Sequence, residues 1–436
     1  MITNIKLENF KIHKEVDVEL SNLTIETGIN GMGKSSIIQS LLLLRQSYLK
    51  DNTLNGLHLN GDLLKINSKD DLLCEDFEGD NISFGLQSTE GDLQIESPIN
   101  GSSNTADYLN ASNVSPSIDY QQSGLFSNNF HYIGANRLTP RDLYEQDTDQ
   151  VVNKKQLSKK YGDCALTVHF LHHWGDKIEC IDPLLFPEGD DNSNADNVNW
   201  GNSISLEGNV NRENKKLLKY QVDKWLQTIA PDIKVVITQY VTDFKLNYKF
   251  DKGNGETTKP YSAVNVGFGI TYTLPILVAI LSSKPGALIL IENPEAHLHP
   301  GAISALMDLI CKAVKAGIQI IIETHSDHVI NGMLVKVAQE NRAQKRGEQI
   351  NGPLVKDLTK VFFFTRNNEN HTSVVKDLLI LEDGHIVEKE LENKQYEPVP
   401  EGFFTQIEHD TEDILGLYDN PIEESGFHFS VESQFD

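Results

Sequence analysis

The chain has 436 residues, enough for two or three compact units, and 39% of them are apolar, enough to bury a core. Its formal net charge of −25 argues against binding nucleic acid over the whole surface, because neutralising phosphates takes Lys and Arg. No run of 18 apolar residues exists, TLPILVAIL being too short to span a bilayer, and Lys6, Glu8 and Lys11 break up any signal-peptide core, so a soluble, cytoplasmic protein without membrane contact is expected.

Residues 2–8 (ITNIKLE) and 14–20 (KEVDVEL) alternate apolar and polar and predict a half-buried hairpin. Residues 23–41, LTIETGINGMGKSSIIQSL, read as a strand, a glycine-rich loop and a helix. The loop fits G-x-x-x-x-G-K-[ST] from Gly28 to Ser35. Glycines let the backbone curl so that successive N–H groups cradle phosphate oxygens, with Asn30, Gly31, Gly33 and Ser36 in the cradle. Lys34 places a point charge on the β/γ-phosphates, the Ser35 hydroxyl can ligate Mg²⁺, and the helix adds its positive end. Ile37, Ile38, Leu41, Leu42 and Leu44 give that helix its buried side over 34–49.

Residues 54–98 predict short strands with acidic turns. Residues 99–129, rich in Asn, Ser and Gly, read as a long loop, and 185–214 as a second loose segment. Between them, HYIGANRLTPRDLY (131–144) is an apolar strand followed by Arg137 and Arg141, which face a phosphate, a partner subunit or a surface carboxylate. A helix over 163–174 carries His169, His172 and His173, which lack an acid or thiol at ligand spacing. Cys74, Cys164, Cys180 and Cys311 form no C-x-x-C pair and read as reduced thiols, so no zinc site is expected. Residues 214–230 are helical, with Leu217, Leu218, Val222, Trp225, Leu226 and Ile229 as a core stripe. Two strands follow over 233–250, then a loop with two glycines and an apolar helix over 262–281. ALILIENPEAHLHP (287–300) and IQIIIETHSDHVI (318–330) are apolar strands delivering polar residues at their ends, each followed by a helix. VFFFTRN and SVVKDLLI complete a set of unalternating runs of the kind that parallel strands buried on both faces produce. The last stretch, 382–436, holds 16 Asp and Glu against Lys389 and Lys394, a net of −14, which leaves room for a basic patch on the body.

Three features join the phosphate loop. Glu292 ends an apolar strand, where a carboxylate holds Mg²⁺ directly or through water, and Glu295 stands where it can position or deprotonate a water. His325 ends the next strand, where it can sense a γ-phosphate. Gly267 and Gly269, with Asn265 before them, open a helix and make a second anion-reading turn. One nucleotide rarely needs two such turns, so the second is expected to read the nucleotide of another subunit.

The phrases IKLENFK, GINGMGKSS, NVGFGITYTLPILV, LILIENPEAHLHP and IIIETHSDHVI together resemble the ABC/SMC-type P-loop ATPases and, within them, the OLD-like AAA ATPases of bacteria. PEGFFTQ (400–406) resembles a C-terminal module of unknown function in one branch of that family. The resemblance implies an α/β P-loop NTPase of ABC/SMC-head type. It has a mainly parallel central sheet flanked by helices, an N-terminal antiparallel β subdomain and irregular insertions. The implied units are an N-terminal ATPase lobe (1–90), an inserted middle region (91–260), a C-terminal ATPase lobe (261–380) and an acidic module (381–436). It implies ATP and Mg²⁺ as cofactors and a homodimer, or higher oligomer, closed across ATP. Gly28 to Ser36 become Walker A, Glu292 the Walker B acid, Asn265 to Gly269 the signature segment and His325 the switch histidine. Many relatives carry a second, hydrolytic glutamate where this chain has Asn293. Either Glu295 takes over, or turnover is slow and ATP acts mainly as dimer glue. Gln46 and Gln87 both compete for the Q-loop glutamine.

Relatives of this kind implied by the resemblance gate a separately encoded effector, a nuclease or toxin, in anti-phage systems such as Septu-type pairs. A Toprim nuclease domain in this chain is not expected: 106 residues follow Ile330, and Asp383–Gly384 offers no D-x-D. The alternative is a RecF-like repair or recombination ATPase that binds DNA through Lys336, Arg342, Lys345 and Arg346. A non-hydrolysing, ATP-clamped scaffold is a third reading.

Overall fold

The computed structural model describes residues 1–75, 77–100, 104–105, 107–187, 212–253, 256–367, 372–390, 396–400 and 402–403. In chain order these form β1 (Ile2–Phe10), β2 (His13–Glu19), β3 (Leu23–Gly28), α1 (Lys34–Asp51), β4 (Gly56–His58), β5 (Asn81–Ser88), β6 (Leu93–Pro98), β7 (Tyr108–Asn110), β8 (Asn113–Pro116) and β9 (Phe130–Ile133). The middle of the chain gives β10 (Tyr144–Glu145), α2 (Thr167–Trp174), α3 (Arg212–Lys215), α4 (Leu218–Leu226), β11 (Ile233–Gln239), β12 (Asp243–Phe250) and β13 (Tyr261–Ser262). There follow α5 (Phe268–Ser282), β14 (Leu288–Glu292), α6 (Pro300–Lys315), β15 (Gln319–Glu323), α7 (Asp327–Lys345), β16 (Thr359–Arg366), β17 (Ser373–Ile380) and β18 (Ile386–Val387).

The central sheet runs β18-β17-β16-β3-β15-β14-β9. Strands β16, β3, β15, β14 and β9 pair in parallel. SVVKDLLI departs from the parallel expectation: β17 is antiparallel to β16 and only its Leu378 and Ile380 are buried. The parallel strands are apolar without alternation because each face meets its own core. Leu288, Leu290, Ile321, Phe362 and Phe364 pack with Ile37, Ile38 and Leu41 of α1. Ile289, Ile291, Ile320, Ile322 and Phe363 pack on the opposite side with residues of α5 and α6.

A second sheet, β2-β1-β5-β6-β8, is antiparallel, and its strands come from both sides of residue 90. Its alternating residues, such as Ile5, Leu7, Val16, Val18, Phe84 and Ile95, face α1 as well. Helix α1 is therefore enclosed between two sheets, and even Ser40, Gln46 and Ser47 are buried. Each enclosed Leu or Ile contributes on the order of 2 kcal/mol. Helix α5 is apolar all round for the same reason, buried from Thr271 to Leu281 with Pro275 inside it.

The Asn-rich stretch 99–129 is more ordered than its composition predicts. It supplies β7 to β4 and β8 to β6, and buries Leu125 and Phe126. Backbone pairing, which composition does not report, holds it. In the second loose stretch, residues 188–211 lie outside the described residues, as do Phe404, Leu415, Leu417 and Tyr418 of the acidic end. Phe403 docks on Phe363 with ring centroids 5.6 Å apart. Among the described residues no helix is long and apolar enough to cross a membrane.

Candidate nucleotide site

The phosphate loop is built where β3 runs out of sheet. Ile29 N–H still reaches the Phe364 carbonyl at 3.0 Å, but Gly28 has turned to φ +133° with its α-carbon against that strand. A Cβ there would stand 2.1 Å from the Phe364 oxygen, so only glycine fits. Gly33, at φ +92°, is the N-cap of α1, and the His13 ring sits where its Cβ would be. His13 Nε2 lies 3.0 Å from the Gly33 carbonyl, and Ser373 Oγ donates to Met32 O at 2.6 Å. The loop is thus pinned from both sides by other strands. Lys34 folds back, its ammonium donating to the carbonyls of Gly28 and Ile29 at 2.8 Å each.

A pocket of about 350 Å³ opens here, lined by Asn30, Gly31, Gly33, Lys34, Ser35, Ser36, Glu323 and His325, and by Lys11 and Ile12 from the β1–β2 turn. The structure brings the predicted Walker A residues and His325 together. Lys11, Ile12 and Glu323 were not singled out from sequence; the turn inside IKLENFKIH and the acid in IIIETH are their only signals.

Three carboxylates stand on neighbouring strands in one register row: Glu26 on β3, and Glu323 and Glu292 at the ends of β15 and β14. They share the face that α1 covers. Ser35 Oγ donates to Glu323 Oε1 at 2.8 Å. These are two oxygen donors, the type a hard cation such as Mg²⁺ takes. Burial raises the Glu323 carboxyl above its ordinary range, against the lowering effect of the Ser35 hydrogen bond. Glu26, fully enclosed and with Oε2 accepting no bond, is pushed well above its usual value by burial and by Glu323. Burial also lowers the Lys34 ammonium, while Glu323 and Glu26 hold it up.

Glu292 faces the other way along the row. Its Oε1 accepts from Tyr132 Oη at 2.8 Å and its Oε2 from Ala135 N–H at 2.9 Å, and it does not line the pocket. The turn after it is shaped by Arg137, which is buried among backbone carbonyls instead of facing a phosphate, a partner subunit or a surface carboxylate, the alternatives its sequence position offered. Arg137 is 1% exposed and donates to the carbonyls of Tyr272, Glu292 and Asn293 at 2.9, 2.8 and 2.9 Å. Its guanidinium also stacks on the Tyr272 ring, and burial lowers its pKa. Asn293 stands in the left-handed region at φ +45°, its N–H donating to Glu323 O at 2.8 Å. Asn tolerates that conformation far better than Glu does.

Glu295 Oε1 accepts the backbone N–H of His325 at 3.1 Å, while Glu295 Oε2 and Asn293 Oδ1 are buried without a partner. Burial and the nearby Lys34 charge lower the His325 pKa. His325 is followed by Ser326, whose Oγ caps α7 through His328 N–H at 3.2 Å.

The Asn265–Gly269 turn lies apart. Asn265 ends a single helical turn, Gly267 is the N-cap of α5, and Phe268 is 52% exposed. None of them lines the pocket of Lys34. Gly267 has open space around its α-carbon, whereas a Cβ on Gly269 would meet His297 O at 2.3 Å.

The remaining candidates are occupied elsewhere. Gln46 is buried and bonds His58 O and Leu64 N–H, and Gln87 is exposed on β5; neither lines the pocket. His169 accepts from Asp147 N–H and stacks on Phe244. Among the described residues no group of His, Cys, Asp and Glu is placed to hold a metal as a cluster, and all four cysteines are free and buried. Lys336 pairs with Asp308 and Arg346 with Glu348, while Arg342 and Lys345 are exposed. Arg141 is exposed and bonds Thr139.

A phosphate cradle at a helix N-terminus, acids on adjacent parallel strands and a histidine just beyond one of them are the parts of a P-loop ATPase site. Residues 1–330 match the family described as AAA ATPase domain (AAA_15), and the chain belongs to that family. No curated protein matches it. Among solved structures it is similar to an Smc head bound to the C-winged helix domain of ScpA. Identity there is 12%, with 87% of this chain and 98% of that one covered, at a TM-score of 0.44. The SMC head domain from Thermotoga maritima gives 11%, 86%, 97% and 0.40. An Smc head with an extended coiled coil, bound to the C-terminal domain of ScpA from Pyrococcus furiosus, gives 13%, 87%, 96% and 0.44.

Proposed function

We propose that this chain binds and hydrolyses ATP with Mg²⁺, closes as a homodimer across two nucleotides, and through that closure gates a separately encoded effector. The observation that carries the reading is a divided site. Walker A and His325 share one pocket, whereas the Asn265–Gly269 turn, the second anion-reading turn, is exposed elsewhere on the same chain. A second copy facing the first supplies that turn to the phosphates.

In this reading the backbone N–H groups from Asn30 to Ser36 hold the β- and γ-phosphates, and the Lys34 ammonium leaves the Gly28 and Ile29 carbonyls for them. Bound Mg²⁺ would withdraw charge from the phosphate oxygens. Ser35 would hold it through its hydroxyl, and Glu292 would join only by giving up its bonds to Tyr132 and Ala135. Glu295 orients or deprotonates the attacking water, and His325, tied to Glu295 through its own N–H, senses the γ-phosphate. With Asn293 where a second acid commonly stands, turnover is slow and the ATP-bound dimer is long-lived.

The effector class, a nuclease or toxin of an anti-phage system, rests on the OLD-like resemblance. The test is native-mass determination of the protein purified from its own cells, with its genomic neighbours intact and ATP present. A second polypeptide in fixed stoichiometry is the expected result. An ATP-dependent homodimer alone that retains duplex DNA, with a steep salt dependence, would favour the RecF-like alternative instead. No nucleotide-dependent change of mass would overturn the dimer.

A further inference from the structure

A second cavity, of about 280 Å³, shares no residue with the pocket of Lys34. It lies between the C-terminal half of α1, the turn after β4 and the segment 150–160, against Phe130 and Tyr132 of β9. In a chain of net charge −25, its wall carries five cations, Arg45, Lys50, Lys154, Lys159 and Lys160, and one acid, Asp62. Three of the cations have acids of their own. Lys154 pairs with Asp149 at 2.9 Å, Lys159 with Glu145 at 2.8 Å and Lys160 with Asp62 at 3.9 Å.

Arg45 and Lys50 pair with no carboxylate among the described residues. Lys50, at the exposed end of α1, donates to the Asn60 carbonyl at 2.5 Å. Arg45 is only 3% exposed. Its Nη1 donates to the carbonyls of Leu125 and Ser127, and its guanidinium lies over the Phe130 ring, 4.1 Å from the centroid. Its Nε and Nη2 donate to none of the described residues. Burial pulls its pKa down to about 9, and no acid holds it up. A guanidinium taken out of water without a counter-charge carries a desolvation cost that carbonyls and a ring offset only in part. The unused Nε–Nη2 edge is the planar fork that grips two oxygens of one phosphate or carboxylate. With Lys50 as a second unpaired cation, a dianion suits the cavity better than a single negative charge. Leu49, Leu63 and Phe130 add an apolar wall. A duplex backbone, broad and convex, does not bring a phosphate to a group so nearly enclosed; a small molecule does.

We propose that this cavity binds a small phosphorylated molecule, with its phosphate on the Nε–Nη2 edge of Arg45 and on Lys50 and its apolar part against Leu49, Leu63 and Phe130. The site is separate from the phosphate loop and does not depend on the ATPase reading.

The experiment titrates phenyl phosphate into the full chain and reads binding by ligand-observed NMR, with phenol as the uncharged control. Phenyl phosphate is expected to bind and phenol not to. Lys50→Ala is expected to weaken binding about tenfold, since it removes one charge-assisted bond. Arg45→Gln is expected to abolish it, and because Arg45 is buried its fold is checked by thermal unfolding; Lys50→Ala, at an exposed position, carries the test if that variant does not fold. Lys34→Ala is expected to leave binding unchanged. No binding of phenyl phosphate, equal binding of phenol, or affinity untouched by Lys50→Ala would each overturn the proposal. Loss of binding in Lys34→Ala would place the probe in the phosphate loop and overturn it too. Displacement of the probe by duplex DNA would make the cavity part of a nucleic-acid surface, with the same consequence.

Discussion

At the residue scale, the site is a competition among buried charges. Lys34 donates its ammonium to two loop carbonyls and keeps Glu26 and Glu323 within its field. Lys34→Ala removes charge-assisted bonds to phosphate and is expected to weaken ATP binding by about 100-fold, roughly 2.7 kcal/mol, in a calorimetric titration. Arg137→Met removes three charge-assisted bonds to buried carbonyls and is expected to cost about 3 kcal/mol or more in urea unfolding. Glu26 gives a pH signature. Its folded pKa lies well above the unfolded value of 4.5, so the stability it contributes is full below that value and is lost as pH rises through the folded one. Glu26→Gln stays neutral throughout. Its melting temperature is expected to exceed the unaltered protein's at about pH 8 and to converge on it toward about pH 5.

At the element scale, what mattered was which strand ends meet. The turn after β14 is bent by Asn293 in a left-handed conformation, so a glutamate there fits poorly. Asn293→Glu is expected to cost about 1 kcal/mol in thermal unfolding and to leave steady-state ATP hydrolysis no faster. The Asn265–Gly269 turn offers a cleaner probe at Gly267 than at Gly269. Gly269→Asp would drive a side chain into the His297 carbonyl and disturb α5, whereas Gly267 has open space. Gly267→Asp is expected to retain ATP binding and lose ATP-driven dimerisation in light scattering; loss of ATP binding would contradict the cross-subunit assignment.

The same scale explains what the sequence could reveal. The phosphate cradle was readable because strand, loop and helix are contiguous, and each residue type answers a local need. The apolar runs of β3, β14 and β15 announced parallel strands for the same reason. The partner of Ser35 was not readable, since Glu323 is 288 positions away and is brought there by register alone. The role of Arg137 was not readable among a phosphate, a partner subunit and a surface carboxylate, because its acceptors are backbone carbonyls, which have no letter in a sequence. The stretch 99–129 looked unstructured because its order comes from pairing with β4 and β6 rather than from apolar side chains.

At the scale of the whole molecule, the walls of the pocket come from two different sheets. Lys11 and Ile12 stand on the hairpin of the antiparallel sheet, and Glu323 and His325 on the central one. An occupant touching all four is a rivet between them. Binding only the native form, it adds about 2.7 kcal/mol of stability at a hundred times its dissociation constant. Bound nucleotide thus adds a link between the β1–β2 turn and the central sheet beyond the core they share around α1. Limited proteolysis is expected to nick the β1–β2 turn less readily when AMP-PNP and Mg²⁺ are added than without them, so that resistance to cleavage there becomes a gauge of nucleotide occupancy.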